Sequence, residues 1–236
     1  MYGLLGFGFD WTYILVIIGA IICLIASANV RTTFAKYAKV RSFSGMTGAE
    51  AAERILKSQG IYDVTIVPVS GELSDHYDPS NKRLALSETV YGATSISAVA
   101  VAAHECGHAV QDAKNYVPLK FRGAMVPVVN FASGISWPLI ILGFIFHSSM
   151  GLFFLKIGII LFSVSVLFQL VTLPVEFDAS HRALKILEST HILGDEELKH
   201  SRKVLGAAAL TYVAGAAAAI LSLLRLIILT GGSNDD

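Results

Sequence analysis

Charge is what this chain of 236 residues lacks most. Asp, Glu, Lys and Arg make up 15% of it, against roughly a quarter of an ordinary globular domain. Neither sign is in excess, with 18 basic and 18 acidic residues, so the basic footprint of a nucleic-acid partner is missing. Two cysteines exclude a disulfide scaffold, and Cys23 stands in an apolar run while Cys106 stands in a polar context, which argues against pairing them. No internal repeat or low-complexity tract is present, and the composition excludes disorder. What remains is hydrocarbon. Hydrophobic residues reach 54% and the mean hydropathy is +0.62, with several near-uncharged runs long enough for a bilayer.

Four such runs are expected to span the membrane as helices: Trp11 to Ala28, about Met125 to Phe146, Leu152 to Leu173, and about Gly206 to Leu229. The start MYGLLGFGFD has no Lys or Arg, so the first run reads as a retained helix, not a cleaved signal. Lys156 and Arg225 lie near span ends, where long side chains reach the interface. The first half of the last run is rich in Ala and Gly, which suits close helix packing. Basic residues set the orientation. Arg31, Lys36, Lys39 and Arg41 follow the first span, and Arg182, Lys185, Lys199, Arg202 and Lys203 lie between the third and fourth. The HSSMG loop between the middle spans carries no Lys or Arg, and the tail GGSNDD is acidic. Both termini are therefore expected outside a multi-pass plasma-membrane protein. The segments between spans one and two and between three and four are expected in the cytoplasm.

Residues 47–124 are more than a loop. Thr47 and Glu50 form a T-x-x-E capping box ahead of a short amphipathic helix that stops at Gly60. DVTIVPVS alternates like a strand, GELSDHYDPSNKR reads as a polar turn region, and LALS is a second short strand. TSISAVAVAAHECGHAVQDA has helical period, with Thr94 or Ser95 as its cap. The expected organisation is an N-terminal membrane helix (1–30), this cytoplasmic α+β unit (31–124) and a membrane hairpin (125–173). A cytoplasmic helical segment (174–205) and a C-terminal membrane helix with its short tail (206–236) complete it.

His104, Glu105, Cys106, Gly107 and His108 spell H-E-x-x-H. At i and i+4 of a helix, His104 and His108 share a face and can aim at one metal ion. Zn2+ fits, one per chain, because its catalytic sites use three protein ligands and keep one position for water. Glu105 is placed to polarise that water, whose pKa the metal lowers. Cys106 projects elsewhere, and Gly107 leaves room for a backbone or substrate to approach closely. The apolar run AVAVAA before the motif favours burial, where a His-Glu-His cluster without metal is costly. A third ligand must come from the same side of the membrane. LPVEFDASHRAL, directly after the third span, offers Glu176 and Asp178. Because i and i+2 face apart on a helix, one of them ligates. Glu176 is the expected ligand, with Asp178 orienting a ligand histidine from behind or replacing Glu176 as ligand.

HECGHAVQ, preceded by SDHYDP and LALS and followed by EFDAS after a two-span hairpin, resembles the YugP-like neutral zinc metallopeptidases of bacterial membranes. The likeness runs from about Thr47 to Ala219 and includes ALTYVAGA. The order of motifs is also similar to the HtpX-type gluzincin peptidases, where the ligand Glu is followed four residues later by an Asp. Here Ser180 holds that place and the Asp comes at two, as Asp178. The resemblance implies a mainly α membrane protein with a small zincin-like catalytic unit. It also implies a zinc-dependent peptidase, with peptides or membrane proteins as substrates beside the bilayer.

Within that frame, Leu84, Ala85, Leu86 and Ser87 are expected to form the edge strand that holds the substrate backbone. Tyr212 and Arg182 are candidate donors to the oxyanion, against simpler readings as an interfacial aromatic and a basic flank. His76 reads first as a turn histidine; His147, His191 and His200 have no site-like spacing. Two rival readings stand beside the membrane-anchored endopeptidase. One is an intramembrane site-2-type protease, disfavoured by the short apolar run and polar QDAKN flank around the motif. The other is a non-catalytic zinc-binding membrane scaffold, disfavoured by the presence of Glu105.

Overall fold

The computed structural model describes residues 10–146 and 148–231; the readings made on the N-terminal start, His147 and the tail beyond Gly231 lie outside the described residues. The chain is mainly helical, with one small mixed sheet. In order it runs α1 (Tyr13–Ala38), α2 (Gly48–Ser58), β1 (Thr65–Val69), β2 (His76–Asp78), β3 (Arg83–Ser87), α3 (Glu88–Tyr91), α4 (Ile96–Ala113), α5 (Val117–Ile145), α6 (Ser149–Ser189) and α7 (Asp195–Gly231). Helices α1, α5, α6 and α7 are long and apolar enough to cross a membrane; α4, which carries H-E-x-x-H, is not among them. Each of the four outruns the apolar stretch that predicted it. The longest, α6, passes through Pro174 without ending, so Glu176 and Asp178 ride on the same helix as the third apolar run.

By its internal packing the chain divides into two compact units, Met1–Ile25 with Ala124–Leu170 and Val213–Asp236, and Ala26–Gly123 with Val171–Tyr212. In the first, α1 and α7 approach closely. A side chain at Gly19 would lie 3.1 Å from the Cα of Ala218, within the Ala-rich half of α7. Asp10 and Arg225 pair at 3.3 Å in the same unit, with the guanidinium 3.9 Å from the Tyr13 ring centre.

The second unit is built around α4. Helix α2 begins with the reciprocal Thr47–Glu50 capping box, and Ser95 caps α4 by accepting from the Ala98 amide. Ile55 of α2, Leu84 and Leu86 of β3, Val90 of α3 and Val99, Ala103 and Cys106 of α4 share one core with Leu187 and Leu205. The sheet order is β1-β3-β2, with β3 parallel to β1 and antiparallel to β2. This corrects two expectations. A third strand, β2, forms inside the polar stretch read as a turn, because Tyr77 pairs opposite Leu84 and its hydroxyl donates to Asp112 of α4 at 2.9 Å. And Leu84, Ala85, Leu86 and Ser87 are not an edge. They lie in the central strand, fully buried, paired along their length with β1 and at Leu84 and Ala85 with β2; the Ser87 amide donates to Asp75. A strand covered on both faces reads as an unbroken apolar run, which is why LALS gave no hint of its position.

Leu84→Ala should therefore lower stability by about 2–5 kcal/mol, as buried Leu truncations do. Thermal unfolding of the detergent-solubilised protein measures it; a loss well under 1 kcal/mol would contradict the central placement of β3.

Candidate metal centre

Helices α4 and α6 meet at Gly107. A Cβ there would sit 2.4 Å from the carbonyl oxygen of Ala179, so only glycine permits the contact. The partner of Gly107 is thus backbone. On α4, His104, Gly107, His108 and Gln111 follow i, i+3, i+4, i+7 and share this face. On α6 the facing residues are Val175, Glu176, Ala179 and Ser180, at i, i+1, i+4 and i+5, which also lie along one side of a helix.

Across the seam, the Nε2 atoms of His104 and His108 lie 3.2 and 3.6 Å from Glu176 Oε2. One ligand atom from each of the three residues falls within 4.8 Å of the others, and His108 and Glu176 are buried. The hydrogen bonds behind the rings orient them. Gln111 Nε2 donates to the Val175 carbonyl and to Asp178 Oδ2, both at 2.8 Å and both able only to accept. Gln111 Oε1 must then face His108 Nδ1, 3.0 Å away, and accept its proton. In the neutral ring this leaves the lone pair on His108 Nε2, the nitrogen that faces the Glu176 carboxylate. His104 Nδ1 pairs with Ser180 Oγ at 3.1 Å. A positive charge, on a protonated ring or a metal ion, relieves the crowding of these donors. Two imidazoles and a carboxylate form a zinc donor set, and tetrahedral zinc with bonds of about 2.0–2.1 Å separates its ligand atoms by about 3.3 Å, close to the two imidazole–carboxylate distances. The residues fit the metal.

Glu105 lies beside the triad, buried, on a neighbouring side of α4. Burial pushes its carboxyl up to about 7, opposed by His104 and reinforced by Glu176 and Asp75. Such a group exchanges protons readily at neutral pH. Asp75 and His76, at the start of β2, also act on Glu105 electrostatically, so His76 belongs to a sheet edge near the site and its ring donates from Nδ1 to the Ser74 carbonyl at 2.8 Å. Tyr212 lies within electrostatic reach of both Glu176 and Glu105. Arg182 is brought elsewhere: its Nε donates to Asp178 at 2.5 Å and its guanidinium packs over Tyr116. Asp178 meets no ligand ring directly and acts on His108 through Gln111. Cys106 points away, its thiol reaching the Ala52 carbonyl, and burial pushes its pKa up. Of the remaining histidines, His191 pairs with the Ser189 carbonyl and His200 stacks on Tyr37.

Three contributors escaped the sequence reading. Gln111 had a readable signal, lying seven residues from His104 on the ligand face. Ser180 was visible only as a missing Asp. Arg122, whose Nη1 donates to Glu176 Oε1 at 2.7 Å, looked like any basic residue near a span.

A helix-borne pair of histidines joined by a distant carboxylate places the chain in a class, and comparison agrees. The family model described as "Putative neutral zinc metallopeptidase" matches residues 12–231, and the chain belongs to that family. Among curated proteins, "Putative membrane protease YugP" of Bacillus subtilis (strain 168) is 49% identical over 211 residues, covering 89% of this chain and 92% of that protein. No solved structure matches significantly.

Gln111→Leu keeps the volume but removes the acceptor behind His108. Metal affinity should fall about 10–100-fold, as losses of such supporting groups do. Competition against a chromophoric chelator reads this, and undiminished affinity would show that Gln111 does not orient the ring.

Proposed function

We propose that the protein is a membrane-embedded zinc endopeptidase that cleaves peptide bonds close to the cytoplasmic membrane face. The observation that carries this reading is the convergence of His104, His108 and Glu176 with the buried carboxyl of Glu105 beside them. Bound zinc supplies Lewis acidity toward a water molecule and the scissile carbonyl. His104, His108 and Glu176 hold it. Glu105 accepts a proton from the attacking water and returns it to the leaving amide nitrogen. Tyr212, beside Glu176 and Glu105, is the candidate hydroxyl donor to the oxyanion. Arg182 is committed to Asp178, and its part is to hold the Asp178–Gln111–His108 chain. The zincin-like character of the unit rests on the H-E-x-x-H helix packed on the sheet, with Asp75 and His76 of the β2 edge near Glu105.

The test is a pair of variants read for metal and for cleavage of an unstructured peptide. Glu105→Gln should retain zinc and lose hydrolysis, whereas Glu176→Ala should lose both. Full hydrolysis by the Glu105→Gln protein would remove the peptidase reading, and full zinc in Glu176→Ala would move the third ligand elsewhere.

The cytoplasmic placement is supported by the basic residues at 31–41 and 181–203 against the uncharged HSSMG loop. Exposed cysteines introduced at Ser80 and Lys199 should resist a membrane-impermeant thiol reagent in intact cells, and one at Ser148 should react. Labelling of Ser80 from outside would reverse the orientation.

A further inference from the structure

Glu176 is held from two sides, and the two sides differ in kind. Its Oε2 faces the Nε2 atoms of His104 and His108 at 3.2 and 3.6 Å. Its Oε1 accepts from Arg122 Nη1 of α5 at 2.7 Å. The Glu176 side chain is almost wholly buried, 5% exposed, while that of Arg122 is 28% exposed, so the contact is screened only partly by water. Arg122 supplies the positive charge on the carboxylate's far oxygen; Arg182, the other guanidinium near the site, is taken by Asp178.

A carboxylate can offer a metal one oxygen or both. Bidentate ligation by Glu176 would fill the position that a hydrolytic zinc site must leave open. A charge-assisted bond to Oε1 competes for that oxygen and leaves Oε2 alone facing the histidines. We propose that Arg122 is a positioning residue that makes Glu176 a one-oxygen ligand and so keeps the fourth coordination position free for substrate and water. The inference rests on the metal-ligand reading of His104, His108 and Glu176. It adds a constraint from α5, an element that contributes no ligand.

Cobalt(II), which substitutes for zinc and reports coordination number in its visible absorption, tests this in the purified full-length protein. The unsubstituted protein should give the intense spectrum of a four-coordinate ion. In Arg122→Gln that absorption should weaken as Glu176 takes up both oxygens, and zinc affinity in chelator competition should fall about 10–100-fold. Arg122→Lys keeps the charge near the helix start but not the directed guanidinium, so an intermediate spectrum is expected. A spectrum identical to that of the unsubstituted protein in Arg122→Gln overturns the proposal, even if affinity falls. Should Arg122→Gln fail to fold, judged by thermal unfolding without metal, Arg122→Lys decides alone: an intermediate spectrum supports the proposal and an unaltered one overturns it. If the unsubstituted protein takes up no cobalt, the ligand assignment itself fails, which is a different result from an unaltered variant spectrum.

Discussion

The backbone contact between Gly107 and Ala179 is the constraint on which the site depends. With a Cβ at 107 only 2.4 Å from a carbonyl oxygen, α4 and α6 would have to separate. The distances that matter chemically, 3.2 and 3.6 Å between imidazole nitrogens and Glu176, tolerate no such shift. One turn to either side of Gly107 lie the groups that use the closeness: His104 with Ser180, and Gln111 with Val175 and Asp178. A small residue thus converts two helix faces into one donor set. The same device, at Gly19 and Ala218, draws α1 and α7 together in the apolar unit.

Behind the ligands stand two supports of different character. His104 rests on the neutral hydroxyl of Ser180. His108 rests on an amide whose orientation is dictated by a carbonyl and by Asp178, itself held by Arg182. Ser180 and Asp178 thus divide the support of the two rings between a direct contact and a relayed one. The helix explains the division. Residues 176 and 180 lie one turn apart on the seam, whereas 178 points to one side and reaches a histidine only through the longer Gln111 side chain.

Burial of the sheet's central strand has a functional consequence. Because β3 is consumed by pairing with β1 and β2, its backbone holds α4 in place and is closed to an incoming peptide. His76 of the polar edge strand β2 and the preceding Asp75 instead act on Glu105, and Tyr77 of β2 and Lys82 of the following turn both donate to Asp112 near the end of α4. Packing under α4 and the electrostatic contact with Glu105 fall to two different strands of one small sheet.

Periodicity and composition were sufficient for everything governed by local chemistry. Four long apolar helices, the Thr47 cap, the helix bearing His104 and His108 and the opposition of Glu176 and Asp178 all follow from local sequence signals and from 3.6 residues per turn, whereas Thr94 and Ser95 stayed equal candidates for the α4 cap. The order of strands did not follow, because a pairing partner leaves no mark on a short buried run such as LALS and a three-residue strand such as His76–Asp78 has no apolar alternation to show. Nor did the tasks of Gln111, Ser180 and Arg122, whose partners lie 54 to 76 positions away in the chain. Local sequence determined which side chains each helix offers. Only the tertiary structure decided which of them meet, since a hydrogen bond or a shared metal depends on distances of about 3 Å that sequence separation does not encode.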